Sequence, residues 1–123
     1  MNLEGILIGS DDPKTLAEYY TKLFGSPVME DGDYSSWQIG SGWLTVGSHD
    51  EVKGKNEAPG RIIWNIAVDD VPGEFERLRS AGAMVIREPY TLEGPDPSGP
   101  EMTIATLADP DDNYFQLMTD TEM

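Results

Sequence analysis

The stretch IGSDDPKTLAEYYTKLFG, residues 8–25, contains the end of a β-strand and one complete helix. Asp11-Asp12-Pro13 is typical of a helix start, because a carboxylate accepts hydrogen bonds from the free N–H groups of the first turn and proline has no N–H to satisfy. Four apolar side chains repeat at helical spacing and share one face, namely Leu16, Tyr19, Tyr20 and Leu23. Gly25 is placed to end the helix.

Short strands surround this helix. The apolar pattern of residues 3–10 predicts the strand that precedes it. After the helix, two glycine-containing turns, 31–33 and 40–42, separate three further strand candidates. These candidates are residues 28–30, 34–39 and 43–46.

The same order of elements occurs again in the second half of the chain. A second helix is predicted between Asp69-Asp70 and Gly82. Their counterparts in the first half are Asp11-Asp12 and Gly25, and the number of residues from each to its counterpart is nearly the same. Val71, Phe75 and Leu78 face the core from this helix. The second set of strands is predicted at residues 61–68, 83–87, 102–107 and 114–118, with a long loop at 88–100.

This internal repeat predicts an α+β fold of two βαβββ modules with one helix each. Module 1 covers about residues 1–48, a linker about 49–60, and module 2 about 61–123, within a single domain. A four-stranded sheet with one helix leaves its other face bare. We therefore expect the two modules to form a cupped eight-stranded sheet around a central cleft.

The charge is strongly acidic, with 23 Asp and Glu against 8 Lys and Arg and a net charge of −15. Such a field repels phosphate backbones, so we expect neither nucleic acid nor an anionic membrane as partner. It attracts cations, although adaptation to a saline cytoplasm explains the same composition. Cysteine is absent, and the sequence predicts neither a signal peptide nor a membrane span. We expect a cytoplasmic protein.

Three motifs resemble the vicinal-oxygen-chelate superfamily of glyoxalases, bleomycin-resistance proteins and extradiol dioxygenases. Residues 8–25 are similar to its first strand and helix, and residues 68–83 to the start of its second module. The stretch LADPDDNYFQL, residues 107–117, is similar to its closing hairpin. The resemblance covers nearly the whole chain and implies the same two-module fold.

The resemblance also implies four positions where family enzymes hold a divalent metal with His, Gln or Glu side chains. In this chain those positions hold Gly5, Thr45, Ile63 and Gln116. Glycine and isoleucine have no donor atom and the other two are weak neutral ligands, so we predict no metal site and no cofactor. The only histidine, His49, starts the linker and is interpreted as a bystander. No catalytic residue is predicted, since no nucleophile–base pair is recognisable.

Alternation along the strands separates helix-facing from cleft-facing side chains. The bulky residues Ile62, Trp64, Ile66 and Val68 are assigned to the helix side. The predicted ligand-binding residues of the cleft are Leu7, Gln38, Trp43, Thr45, Ile63, Asn65, Tyr114, Gln116 and Met118. An alternative is that these side chains pack against one another and leave no cavity.

The leading hypothesis is a metal-independent protein that binds a small organic molecule, cationic or aromatic, for sequestration or resistance. Aromatic walls with a few neutral polar groups suit such a ligand. Two alternatives stay open: a metal-dependent lyase or dioxygenase with unorthodox ligands, and an interaction module without a small ligand.

We predict a homodimer, because short half-open sheets expose edges and the linker is long enough to permit exchange of modules between chains. Tyr19, Phe24 and Trp37 are the aromatic residues expected at the interface. Light scattering in moderate salt, which screens the net charge, checks the prediction. A mass near the monomer's 13.5 kDa at micromolar concentration would contradict it.

Overall fold

The computed structural model describes residues 1–93, 98 and 101–120, and the chain divides into two compact units, Met1–Lys55 and Asn56–Met123. Within the described residues, each unit contains one βαβββ module, which confirms the predicted α+β fold. The first unit contains β1 (Gly5–Ser10), α1 (Pro13–Phe24), β2 (Met29–Asp31), β3 (Tyr34–Ile39) and β4 (Gly42–Ser48). The second contains a 3-10 turn (Pro59–Arg61), β5 (Ile63–Val68), α2 (Val71–Ser80), β6 (Met84–Leu92), β7 (Met102–Ala108) and β8 (Tyr114–Thr119).

Each module forms one four-stranded mixed sheet with the same topology. The strand orders are β1-β4-β3-β2 and β5-β8-β7-β6. In both sheets the first strand pairs in parallel with the last, and the other pairs are antiparallel. The repeat that the sequence shows in its capping residues is therefore also a repeat of sheet topology.

Helix α1 begins and ends where its capping residues predict. The Asp12 carboxylate accepts a hydrogen bond from the Thr15 N–H at 3.3 Å. Gly25 takes a φ of +90°, which favours glycine, and its N–H donates to the Thr21 carbonyl at 2.9 Å. The buried face consists of the four predicted residues, Leu16, Tyr19, Tyr20 and Leu23.

The core of the first module closes around Trp37 of β3. Its side chain is 2% exposed, and its indole Nε1 donates to the Gly25 carbonyl at 2.8 Å. Tyr19 is also buried in this core. Neither ring is available at a surface, so the prediction that Tyr19 and Trp37 line a dimer interface is wrong.

Helix α2 follows the same rules in the second module. The Asp70 carboxylate accepts from the Gly73 N–H at 3.1 Å, and Val71, Phe75 and Leu78 are buried as predicted. Neither α1 nor α2 is long and apolar enough to cross a membrane, and they are the only α-helices in the described part of the chain.

The helix side of the second sheet is an aromatic core. Trp64 of β5 stacks on the fully buried Phe115 of β8, with ring centroids 5.0 Å apart. Ile62 was assigned to the same side, but it lies between the 3-10 turn and β5 and is 76% exposed. That assignment is wrong, because alternation applies only once the strand has begun.

Strand β6 is longer than the sequence predicts. It runs to Leu92, so residues 88–92 of the predicted loop belong to a strand. Pro89 is tolerated because β6 is an edge strand, where one row of N–H groups has no partner strand. The pairing with β7 shifts register between Val85 and Arg87 and again between Arg87 and Tyr90. The remainder of the predicted loop, at 94–97 and 99–100, lies outside the described residues.

The turn between β7 and β8 is built around the buried carboxylate of Asp109. This residue is 0% exposed, and its Oδ1 accepts from the backbone N–H groups of Asp111 at 2.9 Å and Asn113 at 3.0 Å. Its Oδ2 accepts from Asn113 Nδ2 at 3.0 Å. One side chain thus satisfies the donors that the turn directs inward.

Replacing Asp109 with alanine is expected to lower the free energy of unfolding by about 3 kcal/mol, because several buried donors lose a charged acceptor. Urea unfolding followed by circular dichroism measures the change. The control is Asp50→Ala, whose side chain is 96% exposed, and which should change stability by less than about 0.5 kcal/mol. Equal losses in the two variants would contradict this role of Asp109.

Candidate functional site

Each sheet has one face packed on its helix and one that is not, which we call the helix-free face. In the first sheet, Trp37, Leu44 and Val46 are buried on the helix side. The alternate positions of the paired strands form the other face. By the pairing register, the helix-free face of the first sheet contains Gly5, Leu7, Ser36, Gln38, Trp43 and Thr45.

This face combines an apolar surface with hydrogen-bonding groups. Leu7 is 59% exposed although it is a large apolar residue in a strand, and the Trp43 indole is half-buried. Gln38 pairs with Trp43 across the β3–β4 ladder and is exposed. The hydroxyls of Ser36 and Thr45 hydrogen-bond to each other at 2.9 Å.

Two further side chains cover glycines on this face. A Cβ at Gly47 would overlap the Tyr34 ring, whose hydroxyl donates to the Ser48 carbonyl at 2.9 Å. A Cβ at Gly9 would lie 2.9 Å from the Cβ of His49. These glycines are therefore places where a side chain from the same module packs directly on the backbone.

The corresponding face of the second sheet contains the other predicted residues. Ile63 pairs with Tyr114 and Asn65 with Gln116 across the parallel β5–β8 ladder. The Gln116 amide Nε2 donates to the Thr106 hydroxyl at 3.1 Å. Asn65 is exposed, whereas the other predicted residues of this sheet, Ile63, Tyr114, Gln116 and Met118, are partly buried.

The nine predicted binding residues thus all lie on helix-free faces, four in the first sheet and five in the second. What they bind stays a prediction. Sequence reasoning missed three neighbours on these faces, Tyr34, Ser36 and Thr106. Tyr34, Ser36 and Gln38 are every second residue of β3, so their side chains point to the same face. The alternation rule would have found Tyr34 and Ser36 once the face of one residue in β3 was known.

The four positions where the resemblance implies metal ligands do not suit a metal. Gly5 and Ile63 have no donor atom, and the Thr45 and Gln116 side chains are hydrogen-bonded to Ser36 and Thr106. Gly5 is in addition closed to any side chain, because a Cβ there would overlap the carbonyl oxygen of Trp43. Among residues 1–93, 98 and 101–120, no three His, Asp or Glu side chains are placed to hold a metal ion. The residues therefore do not fit the divalent metal of the family's enzymes.

The fold and these faces define a two-module βαβββ protein. The four positions where the resemblance implies metal ligands hold residues that bind metals weakly or not at all. The family model of the glyoxalase-like domain matches residues 5–118 of this chain. The chain therefore belongs to this family. No curated protein matches the chain.

Solved structures of low sequence identity share the fold over nearly the full length. A glyoxalase-related enzyme from Fulvimarina pelagi is 21% identical with a TM-score of 0.71, covering 98% of this chain and 88% of that one. A glyoxalase/bleomycin resistance protein from Albidiferax ferrireducens T118 is 16% identical with a TM-score of 0.72, covering 95% and 98%. A glyoxalase/bleomycin resistance protein/dioxygenase family enzyme from Burkholderia phytofirmans PsJN is 20% identical with a TM-score of 0.68, covering 97% and 98%.

The close approach of Trp43 to Gly5 predicts that Gly5→Ala destabilises the protein. The added methyl must displace the β4 backbone, at an expected cost of about 1 to 3 kcal/mol in the free energy of unfolding. Gly60→Ala is the matched control, since a Cβ at Gly60 meets no atom within 4 Å. Urea unfolding should show little change or a slight stabilisation for Gly60→Ala. Equal stability of both variants and the parent would show that Gly5 is not closed to side chains.

Proposed function

We propose that the protein binds a small planar organic molecule on the helix-free face of the first sheet, without a resident metal, for sequestration or resistance. The observation that carries the proposal is the large exposed apolar surface of Leu7 in a strand beside the half-buried Trp43. Trp43 lies in the inner strand β4, and β1 pairs with β4 along its whole length, so this surface is held by a continuous ladder.

The chemistry of this face favours an aromatic ligand with a few polar groups. Trp43 offers a ring for stacking, and Leu7 extends the apolar contact. The exposed amide of Gln38 and the Ser36–Thr45 hydroxyl pair can orient the ligand through hydrogen bonds. A net charge of −15 raises the local concentration of cations and disfavours anions. The ligand class is therefore planar, aromatic, and neutral or cationic.

The side chains at the positions where family enzymes hold their metal support binding rather than catalysis. The family's metal positions offer neither carboxylate nor imidazole, and the polar side chains among them are already hydrogen-bonded. Sequestration requires only affinity, which stacking and hydrogen bonding can supply.

We also propose a cytoplasmic location, which rests on the composition, and a homodimer, which rests on the half-open sheets.

Thermal unfolding against a panel of bleomycin-type, enediyne and planar aromatic compounds tests the proposal. A true ligand raises the apparent stability by about 2.7 kcal/mol at a hundredfold excess over Kd. Trp43→Ala should weaken binding about tenfold or more through the lost stacking surface. Leu7→Ala should have a smaller effect in the same direction.

The matched control is Val28→Ala. Val28 is 64% exposed, close to the 59% of Leu7, but lies outside this face, so its variant should keep the parent affinity. No stabilisation by any compound would contradict the proposal, as would ligand binding that Trp43→Ala leaves unchanged. Stoichiometric metal in the purified protein would instead favour a metal-dependent enzyme.

A further inference from the structure

One end of the helix-free face in the first sheet is formed by glycines. Gly9 of β1 pairs with Gly47 of β4, one row beyond the Leu7–Thr45 pair. Successive residues on one face of a strand are about 6.6 Å apart, so this glycine row lies directly beside the apolar surface of Leu7. Because glycine has no side chain, groups from other segments can lie on the backbone here.

The base of the His49 side chain lies over Gly9. A Cβ added at Gly9 would be 2.9 Å from the Cβ of His49 and 3.7 Å from its Cγ. Gly9 is two residues after Leu7, so this added Cβ would point to the helix-free side. The His49 side chain is 47% exposed. A ligand that covers Leu7 can therefore reach the imidazole.

The segment that carries His49 is held against the module at several points. The Val52 N–H donates to the His49 carbonyl at 3.1 Å, and Val52 Cγ2 would be 3.2 Å from a Cβ at Gly9. The Asp11 carboxylate accepts from the Gly54 N–H at 2.7 Å. These contacts keep the imidazole beside the face although it belongs to a connecting segment.

The hydrogen bonding of His49 depends on its protonation state. The Glu51 N–H donates to His49 Nδ1 at 3.2 Å, so Nδ1 has no proton and the neutral ring has its proton on Nε2. In the imidazolium, Nδ1 becomes a donor and this bond is lost. The Asp50 carboxylate, whose Oδ1 is 3.6 Å from Nδ1, is then the nearest acceptor of an ion pair. One proton thus changes the charge at the end of the face.

The other charged groups around His49 belong to its own segment and to the start of α1. Strands β1 and β4, on which the ring lies, contain no Asp, Glu, His, Lys or Arg. The Tyr34 phenol covers the neighbouring Gly47 and donates to the Ser48 carbonyl. The charged side chains nearest to His49 along the connections are Asp11, Asp50, Glu51 and Lys53. Histidine is the side chain whose charge ordinarily changes between about pH 5 and 8, so it is the group that can make this face respond to mild acid.

We infer that His49 is a specificity-determining residue of the planar-ligand site, which binds a planar cation when the imidazole is neutral and releases it when the imidazole is protonated. The inference rests on the proposed function and adds a control of binding by pH. An imidazolium beside Leu7 repels a cation that lies on Leu7 and Trp43. A neutral planar ligand meets no such repulsion, so the site discriminates between the two ligand classes in mild acid.

Equilibrium dialysis with two planar probes tests the inference on the full chain. Ethidium is a permanent cation and phenazine is neutral, so neither probe changes its own charge over the range used. Ethidium should bind about threefold or more weakly at about pH 5.5 than at about pH 7.5, whereas phenazine should change less than about twofold. Ionic strength is held equal, because salt screens the repulsion. The same loss for both probes would overturn the inference.

Two variants of His49 separate its charge from its structural contacts. His49→Asn stays neutral and keeps a side-chain acceptor for the Glu51 N–H, so it should bind ethidium with the parent's affinity at neutral pH and lose the pH dependence. His49→Lys has a permanent positive charge and should bind ethidium weakly at both pH values. The matched control is Glu18→Gln, which makes the same change in net charge on α1, at an exposed position on the other side of the sheet. It should keep the parent's affinity and pH dependence.

A pH dependence that persists in His49→Asn would overturn the inference, as would equal weakening by His49→Lys and Glu18→Gln. Proximity is checked by proton NMR, in which the Hε1 resonance of His49 is unambiguous because the chain has one histidine. Bound ethidium and bound phenazine should both shift this resonance, and an unshifted resonance would overturn the inference.

Trp43→Ala distinguishes the two proposals. Binding that Trp43→Ala weakens but that no change at His49 affects would overturn this inference and leave the planar-ligand proposal standing. Ethidium binding that Trp43→Ala leaves unchanged, or no ethidium binding at all, would contradict the planar-ligand proposal for cations and this inference with it.

Discussion

The parallel pairing between the first and last strand of each module is the constraint on which the rest of the structure depends. A parallel pair cannot be closed by a tight turn, so the chain must cross over before it returns. Helices α1 and α2 lie in these crossovers and cover one face of each sheet. The other face is left to the side chains of the strands. The β1–β4 pairing also places the Trp43 backbone against Gly5. This contact leaves no space for a side chain at Gly5, the first of the positions where the resemblance implies a metal ligand.

The two modules resemble each other beyond their topology. At equivalent places of the last two strands, a polar side chain of one strand hydrogen-bonds to a hydroxyl of its neighbour. The pairs are Ser36 with Thr45 and Gln116 with Thr106. In each pair one member holds a position that the family uses for a metal ligand. The polar side chains at these two positions are therefore satisfied by hydroxyls on the neighbouring strand.

The sequence was sufficient for the fold because its signals are local. Caps at Asp12 and Asp70 and the glycine at 25 mark the helix ends, and alternation places the predicted binding residues on the helix-free faces. The extension of β6 was missed because Pro89 suggests a loop unless the strand is known to lie at an edge.

The edge strand β6 has a consequence for how the protein behaves when concentrated. Met84, Val85 and Ile86 are consecutive, apolar and each at least 39% exposed, a pattern that invites strand-to-strand polymerisation. The register shifts that follow, together with Pro89, prevent a neighbouring chain from continuing a regular ladder. The Arg87 guanidinium lies 3.6 Å from the centroid of the Tyr90 ring and places a charge on the same edge. The module can thus present an apolar edge without offering a template for fibrils.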